Sequence, residues 1–165
     1  MQTSTGFRLL ITLTVIGLLS ACGFTLRGSA ELPLALQSLQ VQSADPNSAF
    51  VRELRRVLRN NKVVLDAGGV TDYRLQVGSE QFFERALSVN SQARAGEYEL
   101  SMSVQFQLNN SATILIEPEI ITLEKVYLAD PENAVAKTDE AKIIQQEMRR
   151  ELALQILRRL QALVL

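Results

Sequence analysis

From Glu97 to Leu108 the chain alternates without a break: Tyr98, Leu100, Met102, Val104, Phe106 and Leu108 are apolar, while Glu97, Glu99, Ser101, Ser103, Gln105 and Gln107 are polar. A period of two places each set on its own side of an extended chain, so this stretch is a long strand with one face buried and one face wet. Such a strand belongs to an antiparallel sheet whose apolar face needs a cover. Whatever else the chain builds must supply that cover.

Two amphipathic helices answer the requirement. Phe50, Leu54, Val57 and Leu58 recur at spacings of three and four, with Arg52, Glu53, Arg55, Arg56 and Arg59 mostly on the remaining circumference. Asp45-Pro46-Asn47-Ser48 reads as the start of this helix, with Asp45 as acceptor for its free amides and Pro46 preset for its first helical position; Asn60-Asn61 reads as its stop. Near the end, Ile144, Met148, Leu152, Ile156 and Leu160 climb at intervals of four. This second helix starts either at Asp130-Pro131-Glu132-Asn133 or at Thr138, both good entries.

Further strands are expected over 38–42, from near Asp72, and from Thr113 to about Leu128 with an interruption at Pro118; Lys62 to Leu65 is a short candidate. Phe82-Phe83 breaks the alternation of the strand that begins near Asp72, which implies a bulge or a strand end. Residues 88–96 read as a solvated hairpin tip, Asn109-Asn110-Ser111 as a tight turn and Gly68-Gly69 as another. Between Glu119 and Leu128 both faces are mixed, so the inward side is not assigned. The order of elements predicts an α+β fold: a two-layer sandwich with a mostly antiparallel four-stranded sheet and two helices packed on one face.

The first 21 residues have the parts of an export signal: Arg8, the apolar run Leu9–Leu19, and small residues before Cys22. As a helix that run would rise only about 16 Å, short of a ~30 Å hydrocarbon core. Leu19-Ser20-Ala21-Cys22 resembles a bacterial lipobox, which implies cleavage after Ala21 and lipidation of Cys22; the other reading is a buried free cysteine behind an ordinary signal or a short membrane segment. The expected organisation is a cleaved signal at 1–21, a lipidated tether at 22–33 and a single α+β domain at 34–165. Cys22 is the sole cysteine and no histidine occurs. That removes zinc sites of the Cys/His type, histidine-based nucleophile systems and disulfides, and no metal or cofactor is expected. A net charge of −1 argues against a nucleic-acid partner.

Several stretches together resemble one family. They are Cys22-Gly23-Phe24-Thr25-Leu26-Arg27-Gly28 with Leu32-Pro33, the entry Ala95-Gly96-Glu97-Tyr98-Glu99-Leu100, the segment Val135-Ala136-Lys137, and the helix from Glu147-Met148-Arg149 to Leu160. In this order they are similar to the lipopolysaccharide-assembly lipoprotein LptE family, also called rare lipoprotein B. The resemblance implies a non-enzymatic lipoprotein on the periplasmic side of the outer membrane, held there by lipid on Cys22. It also implies a plug inside the β-barrel LptD, supporting barrel assembly and lipopolysaccharide insertion. Gly23 rather than Asp after the cysteine fits delivery to the outer membrane. Lys137 matches a lysine to which lipopolysaccharide contact is ascribed in that family, and Arg94 stands close to a second such position. Two other classes stay open: a lipid-anchored regulator of another envelope machine, such as a peptidoglycan synthase activator, and an enzyme using Glu97 and Glu99, although these acids share the solvent face of the strand.

Overall fold

The computed structural model describes residues 32–66, 68, 71–89, 95–128 and 134–164. A single 3-10 turn at Leu34–Gln37 leads into strand β1 (Ser38–Ser43), helix α1 (Ala49–Asn60) and strand β2 (Val64–Leu65). Strands β3 (Arg74–Val77), β4 (Gln81–Val89), β5 (Ala95–Asn109) and β6 (Ile114–Leu128) follow, and helix α2 (Ala134–Gln161) closes the chain.

Strand β5 is the axis of the sheet. Along one side it pairs antiparallel with β6 over almost its full length. Along the other it pairs with β3 through residues 106–109 and with β4 through residues 95–103. Strands β3 and β4 thus lie end to end on one edge of β5. Beyond β3 comes β1 and then β2, and both of these contacts are parallel. The expected four-stranded, mostly antiparallel sheet is therefore corrected to a six-stranded mixed one. The cause lies in the β1–α1–β2 segment, whose helix returns the chain so that β2 runs alongside β1 in the same direction.

Both helices were expected on one face, and the burial pattern agrees. Leu100, Met102, Val104, Phe106 and Leu108 of β5 are buried with Leu39 and Val41 of β1 and Leu75 and Val77 of β3. Against them stand Phe50, Val51, Leu54, Val57 and Leu58 from α1 and Met148, Leu152, Ala153, Ile156 and Leu160 from α2, all in one cluster. Among the described residues this core contains no buried polar or charged side chain. Leu32, at the end of the expected tether, is buried in it.

The start of α1 differs from expectation in detail. Ser48, not Asp45, is the cap: its hydroxyl accepts from the Val51 amide at 3.2 Å, while Asp45 accepts from the Asn47 amide and shapes the approach. At the other end the helix stops at Asn60-Asn61 as expected, with Lys62 (φ 64°) the left-handed residue that follows. Asn61 donates its side-chain amide to the Val57 carbonyl at 2.9 Å, satisfying one of the helix's last acceptors.

The break at Phe82-Phe83 has a simple origin. The Gly78 amide donates to the Gln105 carbonyl, and Gln81 stands opposite Ser103, so three steps on one strand match two on the other. One extra residue flips the phase, turning Phe82 partly inward and leaving Phe83 65% exposed. Strand β6 accommodates Pro118 in the same way: Phe106 faces Glu119 and Leu108 faces Ile116, so Glu117-Pro118 bulges out of the ladder.

Candidate functional site

Among the described residues the sheet has a covered face and an open one, and the register decides what stands on the open face. Opposite the helices, β5 presents its acids and amides: Glu97, Glu99, Ser101, Ser103, Gln105 and Gln107. Strand β6 faces inward through Ile121, Leu123 and Tyr127, which assigns the stretch that sequence left undecided. Its outward residues include Ile120 (65% exposed), Val126 (60%) and Leu128 (71%). The open face thus mixes polar rows with separate apolar side chains.

Toward β1 this face is built of primary amides. Gln107 donates to Gln76 across the β3–β5 pair, and Gln42 donates to Gln40 along β1. A shallow cavity of about 400 Å³ opens there between Gln42, Gln76, Gln105 and Gln107. Such groups donate and accept together and carry no charge.

The other end of β5 holds the charged pairs. Arg85 on β4 binds Glu99 on β5 through two hydrogen bonds of 2.7 and 3.1 Å. This bond, more than the Coulomb attraction that accompanies it, holds the Glu99 carboxyl below its ordinary range and raises Arg85 above its own. Glu99 is consequently a cross-strand anchor with its charge engaged. On the inward side Tyr98 and Tyr127 stack with ring centres 5.6 Å apart, and the Tyr127 hydroxyl donates to Glu84.

Of the three residues singled out from sequence, Cys22 and Arg94 lie outside the described residues, as do the rest of the expected signal and tether before Leu32. Lys137 is the fourth residue of α2. The chain leaves the sheet at Leu128, directly opposite Glu97, and Arg94 precedes Glu97 by three residues. The segments that carry Arg94 and Lys137 are therefore both attached to the same end of the β5–β6 pair. The pairing of Glu97 with Leu128 depends on register and is invisible to a linear reading.

Sequence reasoning passed over a second charged surface, on the outside of the helix layer. Arg52 and Arg56 of α1 and Arg149 and Arg150 of α2 line one groove between the helices. From sequence Arg52 and Arg56 read only as part of the charged side of the first helix. That two solvent sides meet follows from how α1 and α2 pack.

Comparison with known proteins completes the description. The model of the family LptE, described as lipopolysaccharide-assembly, matches residues 36–160. The chain is 32% identical over 156 residues to the LPS-assembly lipoprotein LptE of Pectobacterium atrosepticum, covering 93% of this chain and 84% of that one. It is 31% identical over 157 residues to the protein of the same name in Photorhabdus laumondii, covering 92% and 83%. Among solved structures, rare lipoprotein B of Shewanella oneidensis superposes with a TM-score of 0.66 at 29% identity, over 73% of this chain and 91% of that one. Lipoprotein B of Nitrosomonas europaea shares the fold with a TM-score of 0.69 at 23% identity, over 85% and 91%. No helix among the described residues is long and apolar enough to cross a membrane.

Proposed function

Because this chain belongs to the LptE family of lipopolysaccharide-assembly lipoproteins, we propose that it is a non-enzymatic assembly factor anchored by lipid on Cys22 to the periplasmic side of the outer membrane. There it sits as a plug within the LptD β-barrel, supports assembly of that barrel, and contacts lipopolysaccharide on its way to the surface. Residues 1–21 are removed as the signal, 22–33 form the tether, and 34–165 form the working body.

One observation supports the reading beyond family membership: a sheet whose second face is not covered by any of the described residues and is lined with Glu, Ser and Gln from β5. Rows of this kind suit the polar wall of a barrel lumen better than hydrocarbon. The apolar outliers Ile120, Val126 and Leu128 supply local contact points on such a wall. Lys137 and Arg94 are the proposed lipopolysaccharide contacts, since both are cations and the ligand bears anionic sugar phosphates.

Affinity purification of the full-length protein from membranes in mild detergent tests this. A large β-barrel protein recovered in fixed proportion is the expected partner. Recovery without any barrel, or with a peptidoglycan synthase in its place, would refute the plug reading.

A further inference from the structure

The helix layer offers a binding site of its own. The groove between α1 and α2 encloses about 490 Å³, within the range of small-ligand sites, and four guanidinium groups line it. They are not equivalent. Arg149 is fixed by Glu80, with three contacts of 2.8 to 3.1 Å from Nε and Nη2 to both carboxylate oxygens. Arg56 is fixed by Glu53 in the same forked manner. Arg52 has only the carbonyl of Asn47 as acceptor, and Arg150 has no hydrogen bond or ion pair among the described residues. Two held cations and two uncommitted ones thus face one space.

Acids take part in this lining as well. Glu53 neutralises Arg56, Glu80 neutralises Arg149, and Glu147 shares Lys125 of β6 with Glu151 at 3.3 and 3.8 Å, so among the described residues the cations facing the space without a carboxylate partner are Arg52 and Arg150. Ala49, the first residue of α1, also lines the groove, which places the positive end of that helix at its wall. Gln146 adds a neutral donor and acceptor, and Ile143, 59% exposed, adds an apolar rim. Forked donors for phosphate beside an amide and an apolar edge fit the headgroup of a phosphorylated glycolipid better than a free ion, which would leave Gln146 and Ile143 without a role.

We propose that the groove between α1 and α2 binds phosphate groups of lipopolysaccharide, at a locus separate from Lys137 and Arg94, with Arg52 and Arg150 as the phosphate-binding cations and the Arg149–Glu80 and Arg56–Glu53 pairs as the fixed walls beside them. This rests on the reading of the chain as a lipopolysaccharide-contacting assembly factor. It adds where on the body the ligand's charge is held.

The test uses the full-length protein in detergent and three probes: purified lipopolysaccharide, the same material stripped of its phosphate esters, and mixed micelles containing phosphatidylglycerol. Replacing both uncommitted cations, Arg52→Glu with Arg150→Glu, should weaken lipopolysaccharide binding about tenfold or more at physiological salt. Removing the phosphates should cause a similar loss for the unaltered protein and little further loss for the variant. Thermal unfolding monitors folding, and Arg52→Gln with Arg150→Gln is the milder pair if charge reversal disturbs it. Unchanged affinity in both pairs overturns the groove; if Lys137→Glu then abolishes binding, the broader reading survives. Equal binding of phosphate-free material also overturns it, as does equal competition by phosphatidylglycerol, which would make the surface a general headgroup contact. If the unaltered protein binds no lipopolysaccharide, the contact part of the broader reading fails along with this one.

Discussion

The packing of α2 on the sheet makes a strong demand on Leu152. It is fully buried, with Met148, Ile156 and Leu160 buried above and below it on the same helix face. Truncating Leu152 to Ala removes about 2 to 2.5 kcal/mol of transfer free energy at roughly 0.8 kcal/mol per methylene. Incomplete collapse of the surrounding side chains brings the total to about 3 to 4 kcal/mol. Measured against a typical domain stability of about 5 to 15 kcal/mol, that is a large loss. A body of this size should lose roughly 10 to 15 °C of Tm. Ile143, on the same helix but 59% exposed, provides the internal control. Ile143→Ala should change stability by no more than about 0.5 kcal/mol. Urea unfolding followed by far-ultraviolet circular dichroism measures both. A cost below about 1 kcal/mol for Leu152→Ala, or equal costs at the two positions, would refute this packing of α2.

Other consequences are equally direct. Ser48→Ala removes the cap of α1 and should cost about 1 kcal/mol in the same assay. Because Arg85 lowers the folded-state pKa of Glu99, the pair stabilises above the unfolded carboxylate's range and loses its contribution as pH falls through the lowered value. The small Tm gap between the protein and Arg85→Gln should therefore persist at neutral pH and close under acid; a gap that widens under acid contradicts this. Cys22→Ser should abolish incorporation of a labelled fatty acid, and a variant that still takes up label disproves the anchor. Ile120→Lys with Val126→Lys, on the open face, should leave Tm nearly unchanged and reduce barrel co-purification, whereas unchanged recovery removes those side chains from the interface.

What could be read from sequence follows from where burial is one-sided. The alternation of Leu100 to Leu108 and the helical spacing of Phe50 to Leu58 announced their elements because one side meets the core and the other meets water. Strand β6 gave no such signal, since outward Ile120 and Val126 sit beside inward Ile121 and Tyr127. A strand with apolar groups on both sides cannot declare its face. Strand β2, two residues long, has no period at all, so its parallel pairing with β1 is set by the return of the chain through α1 and not by its own pattern. The arginine groove escaped for a related reason: each helix alone shows a solvated basic side, and only their packing makes the two sides converge.

The same packing explains how a chain with a net charge of −1 presents two unlike surfaces. Around the rim, cations of the helix layer are matched with acids from the strands and their loops: Arg55 with Asp66, Arg149 with Glu80, Arg159 with Glu119. Other pairs among the described residues run differently: Lys125 of β6 meets Glu147 and Glu151 of α2, while Arg56 with Glu53 and Arg85 with Glu99 pair within one layer. Arg59, Arg150 and Arg158 stand exposed on the helices, while Glu117 and Glu124 stand exposed on β6. These arginines bias the outer side of the helices toward positive charge and these acids bias the open sheet toward negative, against the opposing contributions of exposed Asp139, Glu140 and Glu147 on α2 and Arg85 on β4. An anionic ligand meets attraction on one side and repulsion on the other, each screened beyond about 8 Å at physiological salt. Salt dependence of lipopolysaccharide binding should accordingly weaken when helix-face arginines are neutralised. Neutralising Glu117 and Glu124 to Gln should leave that dependence in place. A salt dependence that followed the sheet acids instead would mean that the ligand approaches the open face, and the assignment of the two surfaces would have to be reversed.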